Sequence, residues 1–422
     1  MQYILTPPAD LQADIVLPAS KSISNRALIL HALSGGSTRP SNLSDCDDTR
    51  VLIQALDHPA ETIDIGAAGT AMRFLTAYLS VTPGTHVLTG TPRMQQRPIG
   101  ILVDALRSLG AQITYTANEG FPPLHITGNR LDGQEVTLAG NVSSQYISAL
   151  LMIGSVLPQG LTLHLTGDII SRPYINLTLQ LIKDFGAQAT WTSAHSITVY
   201  AGGYRDTAFT VESDWSAASY WYEILALFLA RNPDKRQQAS IRLAGLFERS
   251  YQGDSRGADL FAALGVMTNF TPQGVVLSAG CTTVSRLDAD LVDMPDLAQT
   301  FVVTCCFMGI PFRFTGLQSL KIKETDRIHA LITELRKLGF VLRSETDGIL
   351  SWQGERVQAE TSPVIDTYED HRMAMAFAPA SQIIPNLRIA HPQVVSKSYP
   401  NYWEDLRKAG FEINEERNSC GY

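Results

Sequence analysis

Along this chain the hydrophobic and polar positions repeat one arrangement, in which an amphipathic helix closes on a glycine and a β-rich segment follows. In each copy the apolar residues have the spacing of one helix face. The closing glycine suits the left-handed position that ends many helices. Successive glycines lie 76, 79, 74 and 71 residues apart in the five clear copies, which close at Gly110, Gly186, Gly265, Gly339 and Gly410.

A sixth and degenerate copy comes first, over residues 49–57, and it has no closing glycine. The spacing is too long for a solenoid repeat but fits a unit of two helices and several strands. A helix followed by glycine is common in α/β proteins generally, whereas near-constant spacing over five copies favours a true repeat. The pattern therefore predicts an α/β protein of six similar units, three in each of two domains.

Composition and charge narrow the class of protein. A chain of 422 residues, 45% hydrophobic and 18% charged, has the length of two or three domains and can form its cores without disulfides or metals. Its 33 basic and 41 acidic residues give a formal charge of -8, the wrong sign for a protein whose main partner is nucleic acid. We therefore expect no nucleic-acid partner.

Neither a metal site nor an exported or membrane-bound protein is indicated. The five cysteines show no CxxC spacing, HExxH is absent, and the neighbours Asp370 and His371 do not have the spacing of metal ligands. The first residues lack a signal-peptide pattern, and no apolar stretch reaches the ~20 residues of a membrane span. We expect a protein that stays in a reducing cytoplasm and uses no metal.

Three predicted helices in the first 150 residues begin with hydrogen-bond donors. The first carries Lys21 and Arg26 in the sequence SKSISNR, the second starts near Gly69, and the third follows Ser143 in the sequence VSSQ. Each is ordinary capping chemistry when taken alone. Three such helix starts favour one ligand with several anionic groups, because helix N-termini attract anions. Arg97 is a further candidate for a carboxylate or phosphate, although a lone arginine more often lies at the surface.

Candidate acid–base groups lie in the second half of the chain. Glu324 and Arg327 come where a helix is predicted to open, on one face of that helix. Asp296 follows a proline at another helix start, and Asp370 with Arg372 precedes a small apolar helix. All of these residues also suit surface salt bridges or helix caps.

Taken together, these motifs resemble the 5-enolpyruvylshikimate-3-phosphate (EPSP) synthases of the enolpyruvyl transferase family. SKSISNR, AGTAMR, RPIG, VSSQ, SRPY, KETDR, DHRMAM and SKSYP occur in the order of that family and span almost the whole chain. The resemblance implies an α/β, two-domain enolpyruvyl transferase fold, each domain with three βαβαββ units around pseudo-threefold symmetry. One domain would be the inserted residues 20–212, with its first unit shortened. The other would be residues 1–19 plus 213–422, with the active site in the cleft between the domains.

The reaction that this resemblance implies transfers the enolpyruvyl group of phosphoenolpyruvate to the 5-hydroxyl of shikimate 3-phosphate, in the shikimate pathway toward chorismate and the aromatic amino acids. The hydroxyl would attack C2 as C3 is protonated, and the tetrahedral adduct would then lose phosphate. Such a scheme needs a base near the hydroxyl and a proton carrier near C3. Asp296 fits the base and Glu324 the carrier, while Lys21 and Lys397 would share proton transfer.

The resemblance also assigns binding roles to individual residues. Shikimate 3-phosphate would be held by Lys21, Ser22, Arg26, Ser143, Ser144, Gln145, Ser171, Tyr174, Asp296 and Lys323. Phosphoenolpyruvate would be held by Lys21, Gly69, Arg97, Gln145, Arg327, Arg372 and Lys397. The family implies no cofactor, and it implies a monomer whose partners are small-molecule substrates only.

Three positions depart from the usual pattern of the family. Ala67 and Ser319 stand where asparagine is usual, and Phe74 stands where proline is usual. The stretch 57–66 is also shorter than in the usual form. We expect catalysis to survive these changes, and we expect the affinity for glyphosate, a competitive inhibitor that targets this family, to differ from that of a sensitive enzyme.

Three other functions remain as alternatives. UDP-N-acetylglucosamine enolpyruvyl transferase shares the fold, but it typically has a GAKN-like start and a reactive loop cysteine, and this sequence has neither. A catalytically silent binding protein of the same fold would be expected to lose Asp296, Glu324 or Arg372, and all three are present. RNA 3′-phosphate cyclase has related units, but the net charge of -8 and the KETDR and DHRMA motifs argue against it.

Overall fold

The computed structural model describes residues 1–170, 172–345 and 348–416. The chain divides into two compact units. Unit 1 consists of Met1–Pro18 and the chain from Ser213 onward, and unit 2 is Ala19–Glu212. Each unit has a hydrophobic core of its own.

The described residues contain twelve α-helices, numbered here in chain order. They are α1 Lys21–Ser34, α2 Asp47–Asp57, α3 Gly69–Val81, α4 Gly100–Ser108, α5 Ser144–Gly154, α6 Arg172–Asp184, α7 Trp215–Arg231, α8 Gly257–Ala263, α9 Ala298–Met308, α10 Arg327–Lys337, α11 His371–Phe377 and α12 Tyr402–Lys408.

The same residues contain twenty β-strands. They are β1 Gln2–Thr6, β2 Gln12–Val16, β3 Thr62–Asp64, β4 Gly84–Thr89, β5 Gln112–Tyr115, β6 Leu124–Gly128, β7 Glu135–Ala139, β8 Leu161–Thr166, β9 Ala189–Ser193, β10 Ser196–Val199, β11 Ser240–Ala244, β12 Leu264–Thr271, β13 Gly274–Thr282, β14 Leu287–Asp290, β15 Phe312–Thr315, β16 Arg343–Ser344, β17 Leu350–Trp352, β18 Val364–Ile365, β19 Leu387–Ala390 and β20 Glu412–Glu416.

One sheet topology accounts for all of these strands. In each of five repeats the first two strands are parallel, the fourth pairs antiparallel with the second, and the third pairs antiparallel with the fourth. The sheets run β3-β4-β6-β5 and β7-β8-β10-β9 in unit 2, and β2-β11-β13-β12, β14-β15-β17-β16 and β18-β19-β1-β20 in unit 1. With one helix after each of the first two strands, every repeat reads βαβαββ. The predicted α/β repeat is therefore confirmed.

Two repeats of unit 1 combine distant parts of the chain. All of unit 2 lies between β2 and α7, which belong to one repeat. The last repeat takes its fourth strand, β1, from the start of the chain, where Gln2 pairs with Glu416. The first repeat of unit 2 is a reduced version of the topology, with α1, α2 and one parallel bridge between Ser41 and Thr210.

The closing glycines have the backbone conformation that the sequence pattern predicts. All five have a φ between +84° and +106°, where a residue with a Cβ is strained by about 1 to 2 kcal/mol. After α4, α6, α10 and α12, the residue that follows the glycine donates its N–H to a carbonyl in the last turn of the helix. The glycine thus turns the chain back toward the sheet at the same point of each repeat.

The first helix of each repeat lies inside its unit, and the second covers the outside. The inner helices α1, α3 and α5 pack on one another in unit 2, as do α7, α9 and α11 in unit 1. All residues of α7 except the last two are buried, whereas α10 buries one face only. Several predicted site residues lie at or near the first turns of the inner helices, whereas Arg327 begins the outer helix α10 and Tyr174 lies in the outer helix α6.

One carboxyl group in this interior, that of Glu223, has no hydrogen-bond partner among the described residues. Glu223 lies in the middle of α7 and is fully buried, and neither of its carboxyl oxygens has a hydrogen-bond partner among the described residues. Burial raises the pKa of Glu223 well above its usual value. The pKa of Glu223 is therefore higher in the folded protein than in the unfolded chain. Below the pKa of the unfolded chain this group takes nothing from the free energy of unfolding, and that free energy falls as the pH rises above this value.

Replacing Glu223 by glutamine is expected to stabilise the protein at pH 8 and to reduce the fall of its melting temperature between pH 5 and pH 8. The wild type loses up to about 1.4 kcal/mol per pH unit through this group, whereas glutamine stays neutral. Thermal unfolding at both pH values measures the difference, with the exposed Glu61→Gln as the control variant. An identical pH dependence in wild type and Glu223→Gln would contradict the expectation.

Candidate active site

In unit 2, Arg26 joins the inner helices. Its guanidinium donates to Oγ1 of Thr178 (2.8 Å), to Oγ of Ser148 (3.0 Å) and to the carbonyl of Ser22 (2.9 Å). The same group lies over the ring of Phe74, 5.2 Å from the centroid. Arg26 is only 3% exposed, and burial lowers its pKa to about 10, so it still carries its charge at neutral pH.

The contacts of Arg26 within the described chain are all to neutral groups. A buried cation without a counter-ion is unfavourable, and an anion beside it relieves that cost. Tyr174 lies close by, since its carbonyl accepts a hydrogen bond from Thr178 (2.8 Å). The position of Arg26 therefore suits an anionic ligand that contacts α1, α5 and α6.

Side chains at the starts of α3 and α5 also meet. Ser143 caps α5 by accepting the N–H of Gln145 (3.3 Å), and Ser144 is the first helical residue. The amide Nε2 of Gln145 donates to Oγ1 of Thr70 in α3 (3.1 Å). These contacts bring two of the three predicted helix starts together.

Gly69, the first residue of α3, lies against two arginines. A Cβ at this position would be 2.6 Å from Nη1 of Arg97 and 3.0 Å from Nη1 of Arg73. Arg73 is fixed because it donates to the carbonyl of Gly69 (2.9 Å). Arg97 is partly exposed, and its side chain forms no hydrogen bond or ion pair with the part of the chain that is described. Its guanidinium is thus available to a ligand next to Gly69.

The remaining predicted residues of unit 2 lie along α1 and α6. Lys21 begins α1, and its ammonium group is 3.6 Å from Oδ2 of Asp48. Ser22 follows in the first turn and is partly buried. Ser171, which the resemblance assigns to shikimate 3-phosphate, lies outside the described residues. The structure thus joins α1, α5 and α6 through Arg26, and it joins α3 to α5 through Thr70 and Gln145.

In unit 1, Arg327 is the centre of the predicted site and is 1% exposed. It donates from Nε to Oδ2 of Asp370 (2.7 Å), from Nη1 to Oδ1 of Asp296 (3.0 Å) and from Nη2 to Oε2 of Glu324 (2.8 Å). Burial alone would lower the pKa of Arg327, but the three carboxylates outweigh burial and raise it. Arg327 is a fixed cation that holds the two candidate acid–base groups on one guanidinium.

Two further cations face Asp296. Nη2 of Arg372 is 2.9 Å from its Oδ2, and Nζ of Lys323 is 3.7 Å from its Oδ1. With Arg327, three positive charges surround this carboxylate, and they favour its ionised form over its protonated form. For Asp296 to act as a base, negative charges nearby must therefore offset the effect of these three cations.

Lys397 contacts the turn that precedes α11. Its Nζ donates to the carbonyl of Glu369 (2.8 Å). Tyr368 and Glu369 have φ of +53° and +56°, a left-handed conformation that few residues with a side chain adopt. Directly after them, Asp370 caps α11 by accepting the N–H of Arg372 (2.9 Å). Lys397 thus lies beside the segment that orients two residues of the Arg327 network.

The structure differs from the sequence analysis at α10. The helix begins at Arg327 with Asp326 as its N-cap, so Glu324 precedes the helix and does not share a helical face with Arg327. The contact forms because the turn before the helix folds back. Sequence reasoning also missed Asp370 as a partner of Arg327, since 43 residues separate them and no local pattern links the two. For the partners of Arg26, the sequence offered one signal only, which is a hydroxyl residue such as Thr178 among the apolar residues of a helix.

Among the described residues, no cluster of histidine, cysteine, aspartate and glutamate is arranged to bind a metal ion. In that same part of the chain, no helix combines the length and the apolar character that crossing a bilayer requires.

Comparison with known proteins gives consistent matches. The family model described as EPSP synthase (3-phosphoshikimate 1-carboxyvinyltransferase) matches residues 5–59 and 52–406. A protein of Bacteroides fragilis named 3-phosphoshikimate 1-carboxyvinyltransferase is 67% identical over 413 residues, which cover 98% of this chain and 99% of that protein. A protein of the same name from Sulfurovum sp. is 35% identical over 436 residues, covering 95% of this chain and 97% of that protein.

Solved structures support the same fold. The EPSP synthase of Acinetobacter baumannii aligns with a TM-score of 0.76 at 21% identity, covering 98% of this chain and 100% of that one. The enolpyruvyl transferase NikO of Streptomyces tendae aligns with a TM-score of 0.71 at 15% identity and covers 98% of each chain. Because the sequence matches extend over nearly the whole chain, this protein belongs to the EPSP synthase (3-phosphoshikimate 1-carboxyvinyltransferase) family.

Proposed function

We propose that this protein transfers the enolpyruvyl group of phosphoenolpyruvate to the 5-hydroxyl of shikimate 3-phosphate and releases phosphate. The observation that carries the proposal is the pair of carboxylates, Asp296 and Glu324, hydrogen-bonded to the single guanidinium of Arg327. Addition followed by elimination needs two acid–base groups close together. Membership of the family identifies the substrates on which such a pair would act.

In the addition step, Asp296 takes the proton of the 5-hydroxyl as its oxygen forms a bond to C2 of phosphoenolpyruvate. Glu324 gives a proton to C3, which becomes a methyl group. In the elimination step, the C2–O bond to phosphate breaks, C3 returns a proton to Glu324, and the proton that Asp296 took up passes to the leaving phosphate. Lys21 and Lys397 assist these proton transfers, and the arginines stabilise the negative charge of the leaving phosphate.

The binding roles follow the charges and hydrogen-bond donors described above. Arg26 would supply a buried positive charge to an anionic group of shikimate 3-phosphate, aided by Lys21, Ser22, Ser143, Ser144, Gln145, Ser171, Tyr174, Asp296 and Lys323. Phosphoenolpyruvate would contact Lys21, Gly69, Arg97, Gln145, Arg327, Arg372 and Lys397. Since the nitrogens of Arg327 already donate to carboxylates, we expect it to act mainly by holding Asp296 and Glu324.

The proposal requires that residues 20–212 and the rest of the chain contribute groups to the same two substrates, so a variant in either part should stop turnover. It also includes a monomer, which rests on the family resemblance, and a cytoplasmic location, which rests on the sequence patterns described above. Size-exclusion chromatography with light scattering tests the monomer. Localisation of a tagged copy in the cell tests the compartment.

The direct test is phosphate release by the purified protein, without added metal. Reactions would contain phosphoenolpyruvate with either shikimate 3-phosphate or UDP-N-acetylglucosamine. Release with shikimate 3-phosphate alone is expected. Release with UDP-N-acetylglucosamine alone would reassign the substrate, and no release with either would favour a silent binding protein.

Gly69→Ala is expected to raise the KM for phosphoenolpyruvate about tenfold or more, which corresponds to about 1.4 kcal/mol of lost binding. The added Cβ would lie 2.6 Å from Nη1 of Arg97 and push this guanidinium aside. The KM for shikimate 3-phosphate should stay unchanged. The matched control is Gly100→Ala, because Gly100 is the first residue of α4 and its added Cβ would meet nothing closer than 3.4 Å. Equal KM values for Gly69→Ala and wild type would show that Arg97 does not bind this substrate.

A further inference from the structure

Asp254 is a buried carboxyl group close to the proposed base, and neither the sequence motifs nor the reaction scheme has used it. It lies in the short turn Gly253–Arg256 and is 5% exposed. The hydroxyl of Ser216, the second residue of α7, donates a hydrogen bond to Oδ2 of Asp254. The backbone of Ser216 is fixed as well, because its N–H donates to Oδ1 of Asp214 at the N-cap (2.8 Å).

Ser216 connects Asp254 to Arg372. Nη2 of Arg372 is 3.4 Å from Oγ of Ser216 and 2.9 Å from Oδ2 of Asp296. A serine hydroxyl has one proton to donate and lone pairs that accept. Since the proton goes to Asp254, a lone pair faces Arg372. The guanidinium of Arg372 therefore contacts the carboxylate of Asp296 directly and is linked to the carboxylate of Asp254 through the hydroxyl of Ser216.

The loop that carries Asp254 is fastened to the same helix start by a separate residue. The side chain of Gln252 accepts the N–H of Trp215 (3.0 Å) and donates to the carbonyl of Ser213 (2.8 Å). These two hydrogen bonds keep the loop in place independently of the contact between Ser216 and Asp254. Variants of that contact are thus expected to keep the local fold.

The charges around Asp254 bear on the chemistry of Asp296. Burial raises the pKa of Asp254 to about 7, and the charges of Asp296 and Asp214 add to this effect, while the Ser216 hydrogen bond and Arg372 oppose it. Interaction between two titrating groups is mutual. If the charge of Asp296 makes Asp254 harder to ionise, a charge on Asp254 favours proton uptake by Asp296. Asp254 thus opposes the three cations that hinder this uptake.

We propose that Asp254 is a positioning residue of the transfer reaction, which orients Arg372 through Ser216 and whose charge favours proton uptake by Asp296. The inference rests on the proposed function. It adds a residue that does not touch the reacting atoms but acts through two that do.

The test compares wild type, Asp254→Asn, Ser216→Ala and the double variant between pH 6 and pH 9. Each single variant is expected to lower kcat/KM for phosphoenolpyruvate about 10- to 100-fold, the range of one hydrogen bond to a charged group. The KM for shikimate 3-phosphate should not change. The double variant should lose little more than the more affected single variant, because the two residues act in series.

The pH profile separates this role from a merely structural one. In the wild type, kcat/KM for phosphoenolpyruvate should rise through pH 7 as Asp254 ionises, and Asp254→Asn should lack this step. Asp259→Asn, at an exposed position in the first turn of α8, is the matched control and should behave as wild type. Additive losses in the double variant, an equal rise of the KM for both substrates, or a pH step that persists in Asp254→Asn would each overturn the proposal.

A second readout does not depend on turnover. Infrared difference spectra of the wild type should show a protonated-carboxyl band that disappears between pH 6 and pH 8 and is missing from Asp254→Asn. Absence of that band in the wild type would overturn the assignment to Asp254. A wild type that shows the band but releases no phosphate from the two substrates would instead reject the proposed function.

Discussion

Asp296→Asn is expected to lower kcat about 1000-fold, within the usual range for loss of a general base. Asparagine preserves the shape of the side chain but cannot take the proton of the attacking hydroxyl. Phosphate release at saturating concentrations of both substrates measures kcat. The melting temperature should also fall, because a neutral amide leaves the buried cations Arg327 and Arg372 with one counter-charge fewer.

A nearby aspartate controls for the change of charge. Asp293 lies three residues earlier, and its carboxylate pairs with the exposed side chain of Arg256 (3.0 Å). Asp293→Asn should therefore keep nearly the kcat and the melting temperature of the wild type. If Asp296→Asn kept its kcat within tenfold of the wild type and remained folded, another group would have to act as the base.

Glu324→Gln is expected to lower kcat about 100-fold and to slow the exchange of hydrogen at C3. When the adduct forms in deuterated water, its methyl group contains two substrate hydrogens and one deuterium, and elimination removes one of the three. The product of the wild type should therefore carry deuterium in its vinyl group. Mass spectrometry of product and of recovered phosphoenolpyruvate measures this exchange, which glutamine cannot carry out.

The chain offers a surface pair of the same kind as a control. Glu404 pairs with Arg407, three residues later, at a distance of 3.0 Å. Glu324 and Arg327 have the same spacing in the sequence, but Glu404 lies at the surface. Glu404→Gln removes an exposed ion pair and should change neither kcat nor deuterium content. Undiminished exchange in Glu324→Gln would assign the proton at C3 to another residue.

Much of the fold could be predicted because it is repeated. The left-handed glycine that closes the outer helices is a local requirement, so Gly110, Gly186, Gly339 and Gly410 mark the repeats in the sequence itself. The order of the strands in each sheet could not be derived in this way, since it depends on pairing between strands that are distant in the chain. No local pattern indicated that β1 closes the last repeat.

The candidate site likewise has one part that local sequence patterns indicate and another part that they do not. Residues at helix starts, such as Ser143 and Asp370, have local signals because capping chemistry is local. The network around Arg327 does not, because its partners come from three different segments and only folding brings them together. Asp254 has no signal at all in the sequence, since an aspartate in a turn is usually a surface residue.

The pairing of Gln2 with Glu416 means that the two ends of the described chain are neighbours in one sheet. A circularly permuted gene could therefore join these ends and begin in the exposed residues 356–362, where new termini are tolerated best. Every strand pair of the sheet would be preserved, and the last repeat would become one continuous stretch of chain. The same set of repeats could thus be encoded from more than one starting point.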